Sequence, residues 1–286
     1  AGASGKGGLD ITMSNLDNII QGGAPAAIEL GYGYDEDLKH LESGGQLNTI
    51  NADISQRAKE RGLRALGTLG SGNHFLELQT VGKTVDAATA EKWGLYEGQI
   101  VAMIHSGSRG LGHQVCSDHV RSLERRYKQK GNIWIDEEWG YELADRQLAS
   151  VPFHSPQGQA YFDGMNAAAN FAFANRSALA HRLREVLRLE MGEDGEATTL
   201  YDVAHNIAKV EVHRIDGKGC TCCVHRKGAT RAFSGDSPEM KHSNHLSGQP
   251  VLIPGDMGTG SWVMAGPKNG QNIAFGSSCH GAGRAM

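Results

Sequence analysis

Apolar and polar residues alternate over Asn73–Val81, which predicts a strand with His74, Leu76 and Leu78 on one face and Asn73, Phe75 and Glu77 on the other. Ile100–Ile104 is a continuous apolar run and predicts a short buried strand that delivers His105 at its end. The period then changes. Gln157–Met191 is alanine-rich and carries Phe162, Met165, Phe171, Leu179, Leu183 and Leu187, which predicts one long helix. Its second half is basic on one side through Arg176, His181, Arg182, Arg184 and Arg188. Shorter helices are predicted over Asp53–Gly62, with Asn51 or Asp53 as cap, and over Cys116–Lys130 and Asp136–Ala149. Residues 1–50 are glycine-rich with short helical pieces such as Asp35–Ser43. After the acidic turn Gly192–Gly195 the pattern returns to strands at Thr199–Val203, Lys209–His213, Val251–Ile253 and Ser261–Ala265, with an exposed polar loop over Ser234–Gly248.

These elements predict an α+β protein with a mixed β-sheet core, surrounding helices and glycine-rich loops. No internal boundary is visible, so residues 1–286 read as one domain, with 115–192 as a helical excursion within it. Composition narrows the function. Glycine is 39 of 286 residues, about twice ordinary usage, and it collects around histidines rather than recurring at a fixed period. The net charge of −4 argues against a globally basic nucleic-acid coat, so any nucleic acid would be held by a local patch. Five cysteines at irregular spacing do not form a secreted disulfide framework and fit reduced thiols in the cytoplasm. Cys220-Thr221-Cys222-Cys223 has no second pair to complete a zinc knot. No apolar stretch of about 18 residues predicts a membrane span.

Four histidines sit at or near the ends of apolar runs, His74, His105, His205 and His280, and all but His205 lie in glycine-dense segments. Each alone could be a buried hydrogen-bonding residue; together they suggest a site assembled in three dimensions. Neutral imidazoles suit a divalent transition metal and leave positions open for substrate oxygens. His280 differs, because Gly281 and Gly283 bracket it and Arg284 follows, as suits a histidine that a phosphate must reach. Pro254–Ser261 is a second anion-nest candidate, although no Gly-Lys-Ser/Thr ends it. His225–Arg231 carries Arg226, Lys227 and Arg231, either a solvated turn or a phosphate-contact patch.

Leu69-Gly70-Ser71-Gly72-Asn73-His74-Phe75-Leu76-Glu77, His105-Ser106-Gly107-Ser108-Arg109-Gly110, Val224-His225-Arg226-Lys227-Gly228-Ala229-Thr230-Arg231 and Cys279-His280-Gly281-Ala282-Gly283-Arg284 resemble the signature segments of the RtcB-type RNA ligases, in the family's order. The resemblance implies an RtcB-like fold with glycine-rich active-site loops. It implies a GTP- and manganese-dependent ligase, with one or two Mn2+ ions, that joins RNA 3′-phosphate or 2′,3′-cyclic phosphate ends to 5′-hydroxyl ends. The RNA would be tRNA halves or broken ends, in splicing or repair, with an archease-type helper as a possible further partner. Carried over by motif, His74, His105 and His205 are the implied metal ligands, and His280 the nucleophile that becomes histidine–GMP. Asn73, Phe75, Glu77, Ser261, Ala282 and Arg284 are implied at the guanylate pocket, and Arg109 and Asn206 at the RNA phosphate.

The chain departs from the family in two places. The family's metal centre also uses an Asp-x-x-Cys segment upstream of the Gly-Ser-Gly-Asn-His motif, and its guanine pocket a C-terminal lysine. Neither is present, so the chain is expected to be truncated at both ends and, alone, weak or inactive. Neither Cys116 nor Cys279 sits in the missing context. Two other readings stay open: a metal-dependent phosphoesterase, which needs no covalent nucleotide, and a non-catalytic RNA-binding fragment using Arg226, Lys227, Arg231 and the Arg182–Arg188 face.

Overall fold

The computed structural model describes residues 7–50, 52–241, 245–256, 258–270 and 273–281. In chain order the elements are helices α1 (Met13–Glu29) and α2 (Gln56–Leu63), strand β1 (Phe75–Thr80), helix α3 (Ala87–Lys92), strand β2 (Ile100–His105) and helix α4 (Arg109–Glu124). Strands β3 (Lys128–Lys130), β4 (Ile133–Asp136) and β5 (Tyr141–Leu143) precede the long helix α5 (Pro156–Met191). Strands β6 (Asn206–Ile215), β7 (Lys218–Lys227), β8 (Ala229–Arg231), β9 (Pro250–Ile253), β10 (Trp262–Ala265) and β11 (Ser277–Cys279) follow. The chain divides into two compact units: Ala1–Leu30, Gln46–Gly70 and Ser106–Leu179 form the first, and Gly31–Gly45, Ser71–His105 and Ala180–Met286 the second.

The first unit is mostly helical. Thr12 and Asn15 close a capping box at the start of α1, each side chain accepting the other's backbone N–H at 3.1 Å. Helix α2 starts at Ser55, whose hydroxyl accepts the Ala58 N–H, rather than at Asn51 or Asp53. Gly62 on α2 lies where a Cβ would come within 2.7 Å of Leu111, so glycine there lets α4 approach closely. Leu16, Ile19, Leu66, Leu111, Phe171 and Phe173 are fully buried in this unit. Helix α4 begins at Arg109, seven residues before the expected Cys116, and ends at Glu124. Asp136–Ala149 is not an α-helix: the Asp136 carboxylate accepts the N–H groups of Glu138 and Trp139, this side-chain turn leads into the β4–β5 hairpin, and helical backbone is confined to one 3-10 turn at Arg146–Leu148.

The second unit holds the remaining strands. The expected α+β class is observed, but the described strands form five separate sheets, and every ladder among them is antiparallel. The two longest strands show why. β6 and β7 are joined by Asp216-Gly217, both with positive φ (49° and 77°), the tight hairpin turn whose twist matches antiparallel strands. Among the described residues, parallel pairing is limited to a single bridge between Leu41 and Asp202, the latter within the segment expected to be the strand Thr199–Val203. β2 is less covered than its apolar run suggests, with Ile100 65% exposed, because it pairs with β1 alone. Ser234–Gly248 is not an exposed loop: Ser234, Ser237, Met240 and His245 are buried. No helix among the described residues is long and apolar enough to cross a membrane.

Candidate metal centre

Three of the four histidines meet in the second unit. His105 ends β2, His205 immediately precedes β6, and His280 immediately follows β11. One ring nitrogen from each lies within 4.8 Å of the other two. The Nε2 atoms of His105 and His205 are 2.9 Å apart. The rings of His205 and His280 stack at 3.7 Å with 19° between their planes, while His105 stands edge-on to both at 5.0 and 5.2 Å. His74 joins from the start of β1, its ring 5.6 Å from that of His105. All four are half-buried, which leaves them reachable.

Local structure explains the convergence. Strands β1 and β2 pair with Phe75 opposite His105, so the residue after His74 is held beside His105. Gly228 ties the other two together. Its N–H donates to the His205 carbonyl at 2.9 Å, and its carbonyl accepts the His280 N–H at 3.2 Å. Gly228 does this with φ of +65°, a conformation that favours glycine, between β7 and β8.

The donor set fits a divalent transition metal. Each neutral imidazole has one donor and one acceptor nitrogen, so three converging rings offer lone pairs to one point. An all-nitrogen set of this kind suits zinc, copper, iron and nickel, so manganese is implied by the family resemblance and not by the donor set. Burial, followed by the charges of His205 and Lys227, pushes His280 down to about 4, which keeps its imidazole neutral at physiological pH.

The expected guanylate residues fall on and beside β1. Asn73 is exposed, Phe75 is buried and edge-on to His105 at 5.4 Å, and Glu77 is half-buried. Glu77 and Ser261 are bridged by Gln79, whose Nε2 donates to the Glu77 carboxylate at 3.1 Å and to the Ser261 hydroxyl at 3.2 Å. The Ser261 hydroxyl also accepts the Gly255 N–H at 3.1 Å. The strict alternation of β1 puts Gln79 on the face of Phe75 and Glu77, a signal by which the sequence could have singled it out. Ala282 and Arg284 lie outside the described residues. Asn206 opens β6, exposed, its Oδ1 accepting the Gly228 N–H at 3.1 Å. Arg109 belongs to the first unit, where it opens α4 and donates from Nε to the Thr68 hydroxyl at 3.2 Å.

The basic patch is corrected. Arg226 is 3% exposed and makes a bidentate pair with Glu211 at 2.7 and 2.8 Å; Arg231 is 5% exposed beside Glu42 at 3.4 Å. Alternation at the end of β7 turns Arg226 inward and Lys227 outward, and β8 buries both Thr230 and Arg231, so Lys227 is the exposed cation of the three. Arg184 on the helix face is likewise buried against Asp37, at 2.7 and 2.8 Å. All five cysteines are free thiols.

A half-buried cluster of imidazoles at strand ends is compatible with a metal site of the nitrogen-ligand class. The family model of the tRNA-splicing ligase RtcB matches residues 1–286, and the chain belongs to that family. It is 49% identical to the tRNA-splicing ligase RtcB of Thermococcus kodakarensis, over all of this chain and 58% of that protein. It is 48% identical to the Archaeoglobus fulgidus protein of the same name, again over all of this chain and 58% of that protein. Against the Pyrococcus abyssi protein of that name it is 48% identical over all of this chain and 31% of that protein. The chain therefore spans between about a third and three-fifths of the length of these curated relatives.

Proposed function

We propose that this chain carries the reaction centre of an RNA ligase that joins 3′-phosphate or 2′,3′-cyclic phosphate ends to 5′-hydroxyl ends at the expense of GTP. Family membership supports the class of reaction. The convergence of His105, His205 and His280 within 4.8 Å is the observation that carries the chemistry. His74, His105 and His205 would hold manganese, one ion or two, through neutral nitrogens. When bound, the metal supplies the positive charge that offsets the triphosphate and helps to align the leaving pyrophosphate.

The protein's own residues do the rest. A ring nitrogen of His280 attacks the α-phosphorus; the new P–N bond forms as the bond to pyrophosphate breaks. The stacked His205 ring fixes the plane from which His280 attacks, so positioning provides much of the rate. An oxygen of the RNA 3′-phosphate then takes GMP from His280. The 5′-hydroxyl oxygen attacks that 3′-phosphate, and GMP leaves. A cyclic phosphate is first opened by water. Asn73, Phe75, Glu77, Ser261, Ala282 and Arg284 would line the guanylate pocket, and Arg109 and Asn206 would receive the RNA phosphate.

On this reading the glycine-rich segments are active-site loops of one RtcB-like catalytic domain over 1–286, with 115–192 as its helical excursion. RNA, GTP and an archease-type helper are the partners, and the site of action is the cytoplasm. The test is incubation of the protein, in its full reading frame, with GTP labelled at the α-phosphate and manganese. Covalent, acid-labile label that disappears in His280→Ala is expected. Label that survives His280→Ala would remove His280 from its role, and phosphate release with neither labelled protein nor ligation would favour a phosphoesterase.

A further inference from the structure

Glu42 is 1% exposed, and its two carboxylate oxygens are bound to different parts of the second unit. Oε2 accepts the backbone N–H of Ala204, the residue before His205, at 2.9 Å. Oε1 faces Lys209 Nζ at 2.8 Å and Arg231 Nε at 3.4 Å. Lys209 lies on β6, the strand that follows His205. Arg231 lies on β8, opposite Ser277 of β11, the strand that ends at Cys279 beside His280. The backbone adds a second tie: the Glu42 N–H donates to the Asp202 carbonyl at 2.8 Å, and the Asp202 N–H to the His40 carbonyl at 2.9 Å.

A buried carboxylate is costly unless it is paired. Burial alone would raise the Glu42 carboxyl, but Lys209 and Arg231 outweigh it and bring it down to about 2. The charge is therefore permanent at any working pH, and its partners are fixed by it. Those partners flank two histidines of the metal centre. We propose that Glu42 is a positioning residue, whose carboxylate sets the placement of His205 relative to His280 and so tunes the affinity and geometry of the metal centre. This rests on the reading of the histidine cluster as a metal site.

The experiment is a Co2+ titration of the metal-free protein, in its full reading frame, followed by the visible absorption of the bound ion. Wild type is expected to show imidazole-ligated bands that His205→Ala abolishes. Glu42→Gln, at equal far-UV dichroism and with a cooperative melt, is expected to bind Co2+ about 10- to 100-fold more weakly and with shifted bands, as loss of an outer partner does at other metal sites. Glu42→Asp keeps the charge but withdraws it by one methylene, and carries the same test where Glu42→Gln does not fold. A purely structural role would lower the melting temperature and leave affinity and bands unchanged. That outcome, with wild-type binding still dependent on His205, overturns the role of Glu42 alone. Wild-type binding that is absent, or indifferent to His205→Ala, overturns the metal reading of the cluster and the Glu42 proposal with it.

Discussion

The two units bury polar groups of opposite kinds. In the first, helix α5 sends neutral carboxamides into the core. Asn170 donates to the carbonyls of Ile20, Gln21 and Leu47 and accepts the Leu47 N–H. Asn175 accepts the Thr68 N–H and donates to the Thr68 and Gly107 carbonyls and the Ser106 hydroxyl. In the second, the buried polar groups are charges: Glu42 with Lys209 and Arg231, Glu211 with Arg226 and His213, Asp37 with Arg184. Carboxamides latch backbone at any pH. Ion pairs hold their geometry only while both partners keep their charge, and breaking one strands a buried ion. The charged network underlies the strands that deliver His205 and His280, so the candidate site stands on the more demanding kind of support.

The largest effect is expected at Arg226. Arg226→Met leaves the Glu211 carboxylate buried without its bidentate partner and should cost about 3–5 kcal/mol in a urea denaturation. A loss below about 1 kcal/mol would make the ion pair dispensable and erase the contrast. Asn170→Ala removes one carboxamide that satisfies four backbone groups and should cost about 1–3 kcal/mol. That cost should be the same at neutral and acid pH, since no group in the latch titrates.

The pH dependence separates the units further. Glu42 lies at about 2 against an ordinary value of 4.5, so the folded state binds its proton more weakly than the unfolded chain. Its contribution is fully present above pH 4.5 and is lost as pH falls through about 2. Asp37 and Glu211 are lowered too, burial being outweighed by Arg184 in one case and by Arg226 and His213 in the other. Hydrogen exchange at falling pH should therefore show β6–β8 losing protection before the part of α5 around Asn170 and Asn175, and Glu42→Gln should flatten the wild-type acid profile in this window. The smallest effect is at Gln79. Gln79→Ala removes the bridge between Glu77 and Ser261 and should raise KM for GTP about fivefold with kcat nearly unchanged, as for one lost hydrogen bond.

The sequence was most legible where pattern and chemistry coincide. Alternation placed β1 and the faces of His74 and Glu77, the apolar run placed β2 and its terminal histidine, and alanine content placed α5. Asp136–Ala149 was misread because its charges and leucines suit a helix, while the Asp136 side chain captures two N–H groups and turns the chain. The hairpin at Asp216-Gly217 was not anticipated, because no strand was read over Lys218–Lys227. At the site, His74, His105 and His280 could be singled out because glycine lies close to each, whereas His205 has none near it. Their scaffold could not: Glu42 sits 163 residues before His205 in sequence, in the short helical piece Asp35–Ser43, where nothing marks it as buried. Arg226 and Arg231 looked like an exposed patch because cation counts do not reveal which way a strand faces.

The central claim is that His105 and His205, brought together by β2 and β6, hold a metal beside His280 rather than forming a hydrogen-bonded cluster. Anomalous diffraction from manganese-soaked crystals tests it most directly. The account predicts a peak about 2 Å from ring nitrogens of His105 and His205, with His280 beside it. Crystals that take up manganese elsewhere, with His105 and His205 still sharing a proton at 2.9 Å, would contradict it.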